Sequence, residues 1–243
     1  MSEVIELNNH RLLNGDATNK EDVNRLIGDC KVNLLLTDPP YGIDIVRTVK
    51  VGGGIVQQMV GSEFPGIVEP REYKPIINDD KPFNPQHLLD LNVPSIIFGA
   101  NNFAHELPNN NEWLVWFKKM DLTQCNANPF SDCELAWTNF DGKSVKCYHH
   151  TWSGMIREGD RKTELEERVH PTQKPVGLLV QMIEEFTNPN DVVLDLYGGS
   201  GSTLIACEKT NRKCLIMELS KDYCEIIENR YWDYVGKGQT KLM

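Results

Sequence analysis

The chain has 243 residues, 40% of them hydrophobic and 25% charged, with a formal net charge of -10. That length suits one sizeable α/β domain, or one domain with a small insertion, and the composition is that of a soluble globular protein, which excludes a coil or a fibre. The acid excess argues against a generally sticky nucleic-acid binder, because phosphate contact depends on Lys and Arg releasing counterions, but it leaves room for a local basic groove.

The first residues, MSEVIELNNHRLLNGD, show no basic start, apolar core or small-residue cleavage site, and no apolar run elsewhere approaches membrane-spanning length, so a cytoplasmic protein is expected. The short apolar runs VIEL and RLLNGD lead to a helix predicted from Asn19 to Gly28 with Thr18 as its cap. VNLLLTD, ending at Asp38, is continuously apolar and reads as a fully buried strand. The stretch from Gly42 to Phe83 is irregular and rich in Gly and Pro; a loop that long in a compact domain is functional or mobile, and a mobile loop is expected over residues 42–83.

VPSIIF and EWLVWF read as strands, and SDCELAWTNF and KSVKCYHHTWSG as two more, joined by a hairpin turn at Asp141-Gly142. A second polar loop follows, so that residues 139–169 offer a place for a small recognition insertion. From there the pattern is helix (Val176 to Thr187), strand (Val192 to Asp195), glycine turn, helix (Ser202 to Thr210), strand (Cys214 to Glu218) and helix (Lys221 to Tyr234). That alternation implies a parallel sheet with helices on its faces. Seven cysteines, an odd number with no CxxC pair, read as reduced thiols, and neither they nor the adjacent His149 and His150 have metal-ligand spacing. Trp113, Trp116 and Trp137 are expected to pack rather than to cage a cofactor.

Two stretches carry chemistry. VVLDLYGGSGST is a strand, an acid, a tight glycine turn and a helix start, which lets backbone amides at a helix N-terminus approach a ligand closely. It lacks the GxGxxG spacing of a nicotinamide fingerprint, but the next strand ends in Glu218, where doubly wound folds place the carboxylate that holds ribose hydroxyls. Asp195 and Glu218 at successive strand tips therefore suggest a ligand with an adenosine-like ribose. In LLLTDPPYGIDI, Pro39 and Pro40 fix φ twice and remove two amide donors, leaving rigid carbonyls beside Asp38, a tip built to accept hydrogen bonds.

TDPPYG at Thr37 to Gly42, HPTQKP at His170 to Pro175 and DLYGGSGST at Asp195 to Thr203 together resemble the catalytic, tenth and first motifs of amino-directed DNA methyltransferases, and NGDA at Asn14 to Ala17 is similar to their adenine-contacting element. The order, catalytic motif first and cofactor motif last, is similar to the beta-class permutation, as found in phage and restriction-modification enzymes. Leu196, Tyr197 and Ser202 depart mildly from the family's DPF-x-GSGTT.

The resemblance implies a Rossmann-like, seven-stranded, mostly parallel sheet with one reversed edge strand, S-adenosylmethionine as cofactor, and methyl transfer to the exocyclic amine of a flipped base. Adenine N6 is favoured over cytosine N4, for which the family more often has serine at the place of Asp38. It assigns Asp38, Pro39, Pro40 and Tyr41 to catalysis: the carboxylate and the Pro39 carbonyl accept from the target amine, and the tyrosine ring stacks on a base that cannot be reached inside the duplex. Asp16, His170, Thr172, Lys174, Asp195, Tyr197, Gly199, Ser200, Gly201, Thr203 and Glu218 fall to the cofactor, with Thr172 and Lys174 at its methionine carboxylate. The expected partner is double-stranded DNA, with no membrane and no metal, and a homodimer is left open. Two other classes compete: an inactive cofactor-binding subunit of a nucleic-acid-binding complex, against which the intact tetrad speaks, and a nucleotide-binding regulator, which a count of transferred methyl groups would separate.

Overall fold

The computed structural model describes residues 3–43, 76–126, 131–153, 156–158 and 173–240. The chain opens with β1 (Val4–Leu7) and β2 (His10–Asn14), an antiparallel hairpin turning at Asn8, whose φ of 53° is left-handed. Helix α1 (Lys20–Ile27) is capped by Asn19, whose side chain accepts from the amides of Glu21 and Asp22. The cap falls one residue after the expected Thr18 because the Thr18 hydroxyl donates instead to Asp16 Oδ1 at 2.7 Å.

Next come β3 (Leu34–Thr37), the single-turn helix α2 (Gln86–Leu89), β4 (Ser95–Phe98), β5 (Trp113–Phe117), β6 (Cys133–Thr138), β7 (Lys146–His149) and a small separate ribbon, β8 (Trp152–Ser153) with β9 (Ile156–Arg157). The last third alternates α3 (Val176–Phe186), β10 (Val192–Asp195), α4 (Ser202–Thr210), β11 (Lys213–Glu218) and α5 (Lys221–Thr240), close to the boundaries expected from apolar periodicity.

The main sheet runs β1-β2-β11-β10-β3-β4-β6-β5-β7. It has nine strands among the described residues, and the expected seven are its centre, from β2 to β5. Their one reversed member is β6, which lies between β4 and β5 and is antiparallel to both. β1 extends one edge antiparallel and β7 the other in parallel with β5. The hairpin expected at Asp141-Gly142 does not form, since β6 and β7 flank β5 on opposite sides. Gly142 instead lies against the start of β5, where a Cβ would fall 1.2 Å from Glu112 Oε2.

Alternate strand residues feed two cores. Leu34 and Leu36 pack with Phe98, Trp116 and Ile216 under α3, α4 and α5, while Leu35 packs with Ile97, Trp137 and Leu215 under α1 and α2. Both faces are covered, which is why β3 and β4 read as continuous apolar runs. β2, β11, β10, β3 and β4 are mutually parallel, so their C-terminal ends lie along one edge. In open α/β sheets ligands bind at that edge.

Candidate active site

A cavity of about 440 Å³ opens at that edge, bordered by Asp38 to Tyr41 after β3, the Asp195–Ser200 turn after β10, Glu218 to Ser220 after β11, and Gly15 to Thr18 after β2. The two stretches singled out in the sequence therefore meet in one space.

Three contacts hold the Asp38–Tyr41 tip. The Asp79 carboxylate, 4% exposed, accepts through Oδ1 from the amides of Tyr41 (3.0 Å), Gly42 (3.0 Å) and Ile43 (3.4 Å). The Tyr41 hydroxyl donates to Asp38 Oδ1 at 2.5 Å. The Tyr41 ring lies in the space left by Gly99, which follows β4 with a left-handed φ of 66°. Burial, and then the Asp38 charge, push the Tyr41 phenol well above its usual pKa, so it stays a donor.

The other Asp38 oxygen is taken by Lys174. Its Nζ lies 2.5 Å from Asp38 Oδ2 and 3.1 Å from Glu134 Oε2, and Glu134 Oε1 in turn accepts from Lys118 Nζ at 3.0 Å. Burial raises the Asp38 pKa above the ordinary carboxylate value against the pull of Lys174. Burial also opposes ionisation of Glu134, but Lys174 and Lys118 outweigh it and hold Glu134 below the usual range. Burial likewise opposes the Lys174 charge, which Asp38 and Glu134 nevertheless hold in place. Lys174, expected at a cofactor carboxylate, thus rests on the carboxylate assigned to catalysis.

The glycine turn is built for close approach. Gly199 and Gly201 have φ of 53° and 79°, and a Cβ on Gly198 would lie 2.7 Å from Ile216 Cγ1. Glu218 braces the turn: Oε2 accepts from the Gly199 amide and Oε1 from the Ser220 amide, both at 2.8 Å, and the Leu219 amide adds a third bond, which leaves the carboxylate acceptor capacity for a ligand. Arg230 of α5 donates to the Ser200 carbonyl at 2.9 Å. Tyr197 borders the cavity with its hydroxyl 2.8 Å from His87 Nε2, and Asp16 is tied to Thr18.

Asp195 faces inward rather than into open space. It accepts from Thr37 Oγ1 at 2.8 Å, from the Tyr197 amide at 3.1 Å and from Thr203, locking the tips of β3 and β10 together. Burial pushes its pKa up to about 6. Carboxylates of Asp16, Asp38 and Glu218 around one cavity, with a glycine turn between them, fit a cationic ligand that bears hydroxyl groups, as S-adenosylmethionine does.

His170 and Thr172 lie outside the described residues, as do 44–75 of the first loop and 159–169 of the second. His149 bonds the Lys119 carbonyl at 2.8 Å, whereas His150 is buried with neither ring nitrogen hydrogen-bonded among the described residues, its Nδ1 lying 3.5 Å from Glu158 Oε2. No group of three metal-ligating side chains occurs among the described residues, and no described helix is long and apolar enough to cross a membrane. Sequence reasoning missed Asp79, Glu134, Gly99 and His87. Only Gly99, a glycine directly after an apolar strand, carries a local signal.

Residues 73–229 match the model of the DNA methylase family that acts on N6 and N4 positions, a span that starts beyond Asp38–Tyr41. The orphan methyltransferase M.BamHII of Bacillus amyloliquefaciens is 24% identical over 86% of this chain and 92% of its own. The type II methyltransferase M2.LlaDCHI of Lactococcus lactis subsp. cremoris is 31% identical over 53% of this chain but only 43% of its own length. Apart from M.BamHII, the curated relatives this chain matches here are spanned over less than half of their own length, from 25% for the Escherichia coli methylase YubD to 44% for M.HpaI of Haemophilus parainfluenzae. Among solved structures, the PvuII DNA methyltransferase (cytosine-N4-specific) aligns with a TM-score of 0.53 at 14% identity over 94% of this chain and 92% of its own. The M1.HpyAVI-SAM complex aligns at 0.50 and 21% identity over 90% and 98%. These likenesses establish the fold.

Proposed function

The chain belongs to the N6/N4 DNA methylase family, and from that premise we propose that it methylates the exocyclic amino group of a base flipped out of double-stranded DNA, adenine N6 before cytosine N4. Its cofactor is S-adenosylmethionine, which when bound supplies an electrophilic methyl group on a sulfonium. The observation that carries the reading is that Asp38 and Pro39 border the same cavity as the Gly198–Ser200 turn.

An exocyclic amine is a poor nucleophile because its lone pair is delocalised into the ring. Asp38 and the Pro39 carbonyl accept from its two N–H groups and localise that pair; the rigid prolines and the Asp79 anchor keep the acceptors aimed as charge develops on nitrogen. Tyr41 stacks on the base from its seat over Gly99. Glu218 holds ribose hydroxyls through its remaining acceptor positions, with Asp16 and Tyr197 beside the adenine, while Gly199, Ser200, Gly201 and Thr203 shape the turn. Residues His170 and Thr172 are assigned to the same cofactor, and 42–83 and 139–169 to target recognition.

The test is incubation of defined DNA with labelled S-adenosylmethionine, followed by nucleoside mass analysis. N6-methyladenine is the expected product. N4-methylcytosine would move the assignment to the other base, and no transfer to any DNA would overturn it.

A further inference from the structure

Both oxygens of Asp38, the group assigned to receive the target amine, already hold a donor: Tyr41 OH on Oδ1 and Lys174 Nζ on Oδ2, each at 2.5 Å. The Lys174 ammonium is 7% exposed and enclosed by aromatic faces, 5.0 Å from the Phe98 ring centroid and 5.8 Å from that of Tyr41. Each oxygen keeps a further acceptor position, but Lys174 Nζ stands on Oδ2 and competes for it with an incoming N–H donor. A buried ammonium cannot leave its partner without a second one, since an unpaired charge in such a place is strongly destabilising.

A second seat is present. Glu134 Oε1 is engaged by Lys118, but Glu134 Oε2 is buried and has no hydrogen-bond partner among the described residues, although Lys174 Nζ is only 3.1 Å away. Glu134 projects from β6, the reversed strand, and neither the sequence motifs nor the catalytic reading gives it a task.

We infer that Glu134 is a positioning residue for methyl transfer: Lys174 fills the amine's place on Asp38 in the free enzyme, and Glu134 Oε2 receives the ammonium when the target amine takes that place. This inference rests on the proposed role of Asp38. It explains why a site meant for a neutral amine contains two acids around one lysine. Lys174 keeps a carboxylate partner through the exchange, while Asp38 gives up the ammonium and keeps the Tyr41 hydroxyl and the amine N–H as donors.

A double-mutant cycle tests it, with E134Q, K174M and the double variant compared with wild type. The readouts are single-turnover methyl transfer at saturating DNA, and binding of DNA and of S-adenosylmethionine by calorimetry. E134Q should slow transfer about tenfold or more while leaving both affinities within about twofold, and in the K174M background the same change should alter the rate by less than about twofold. If E134Q fails to fold, E134D, which keeps the charge but shortens the reach, enters the same cycle. A rate unchanged in E134Q, or an equal loss in both backgrounds, would overturn the inference. Absence of transfer by wild type would instead remove the methyl-transfer reading beneath it.

Discussion

The ring of Tyr41 fills the space in which Gly99 lacks a side chain: a Cβ there would lie 1.8 Å from Cε1 and 2.3 Å from Cδ1 and Cζ of that ring. Gly99→Ala therefore pushes the ring off its seat and also meets a φ of 66° that costs an L-residue about 1 kcal/mol or more. Turnover should fall at least about tenfold through lost alignment of the base, with S-adenosylmethionine affinity little changed. Titration calorimetry beside a tritium-transfer assay separates the two quantities; full turnover would free Tyr41 from any role in holding the base.

Asp79 gathers three consecutive amides, and no other described side chain accepts from them. Asp79→Ala leaves those donors without an acceptor, at a cost of about 2 kcal/mol or more in stability. Thermal unfolding should register that loss, and the transfer rate should drop even at temperatures where the variant is fully folded. A variant as active and as stable as wild type would show that the tip needs no anchor.

Asp38→Ala should bind S-adenosylmethionine nearly as well as wild type, because Lys174 retains Glu134 as a partner, while turnover is lost. Lys174→Met takes away the charge that opposes the upward shift of the Asp38 pKa. An ionised Asp38 is the required acceptor, so the acidic limb of the rate profile should move to higher pH in that variant. An unmoved limb would mean that another group limits the rate at low pH.

A side chain at Gly201 is aimed away from the cavity: its Cβ would meet Ile227 of α5 at 3.1 Å, on a backbone with φ of 79°. The sequence alone suggests that valine there would fill the cofactor turn. The structure makes Gly201→Val a lesion of the contact between α4 and α5, expected to cost about 2 kcal/mol or more through overpacking and strain. Denaturant unfolding without any ligand should show the loss in full.

Asp195 gives stability a pH dependence of definite sign. Its folded pKa of about 6 lies above the unfolded value of 3.8, so the folded state binds this proton more tightly. The resulting stabilisation is complete below the unfolded pKa and is lost as pH rises through about 6, amounting to about 3 kcal/mol. Asp195→Asn should remove this component, so urea unfolding of wild type and variant should diverge between pH 4 and pH 6 and run parallel above.

Legibility followed distance along the chain. The Gly198–Gly201 turn and the acids at the ends of β10 and β11 were readable because strand, turn and helix follow within a few residues and each leaves a local pattern. The order of β6, β5 and β7 was not, since Asp141-Gly142 has the chemistry of a hairpin, whereas β6 and β7 pair with opposite edges of β5, a choice made by strands distant in sequence. Asp79 stands in a polar stretch where nothing nearby marks which acid will turn inward. Glu134 and Lys174 are separated by 39 intervening residues and meet because sheet order brings β6 beside the segment before α3.

The pairing of β3 with β10 and of β2 with β11 also governs how the chain can be made. The first strands emerge from a ribosome long before residues 192–218, which supply the neighbours for one edge of each. A nascent chain that stops short of β10 displays two apolar strands with open edges, the condition under which partly built chains aggregate or recruit chaperones. Folding of the sheet centre is therefore deferred until residues 192–218 have been made, and ribosome-bound chains stalled before residue 192 should be cut by protease throughout, whereas chains stalled well beyond 218 should resist.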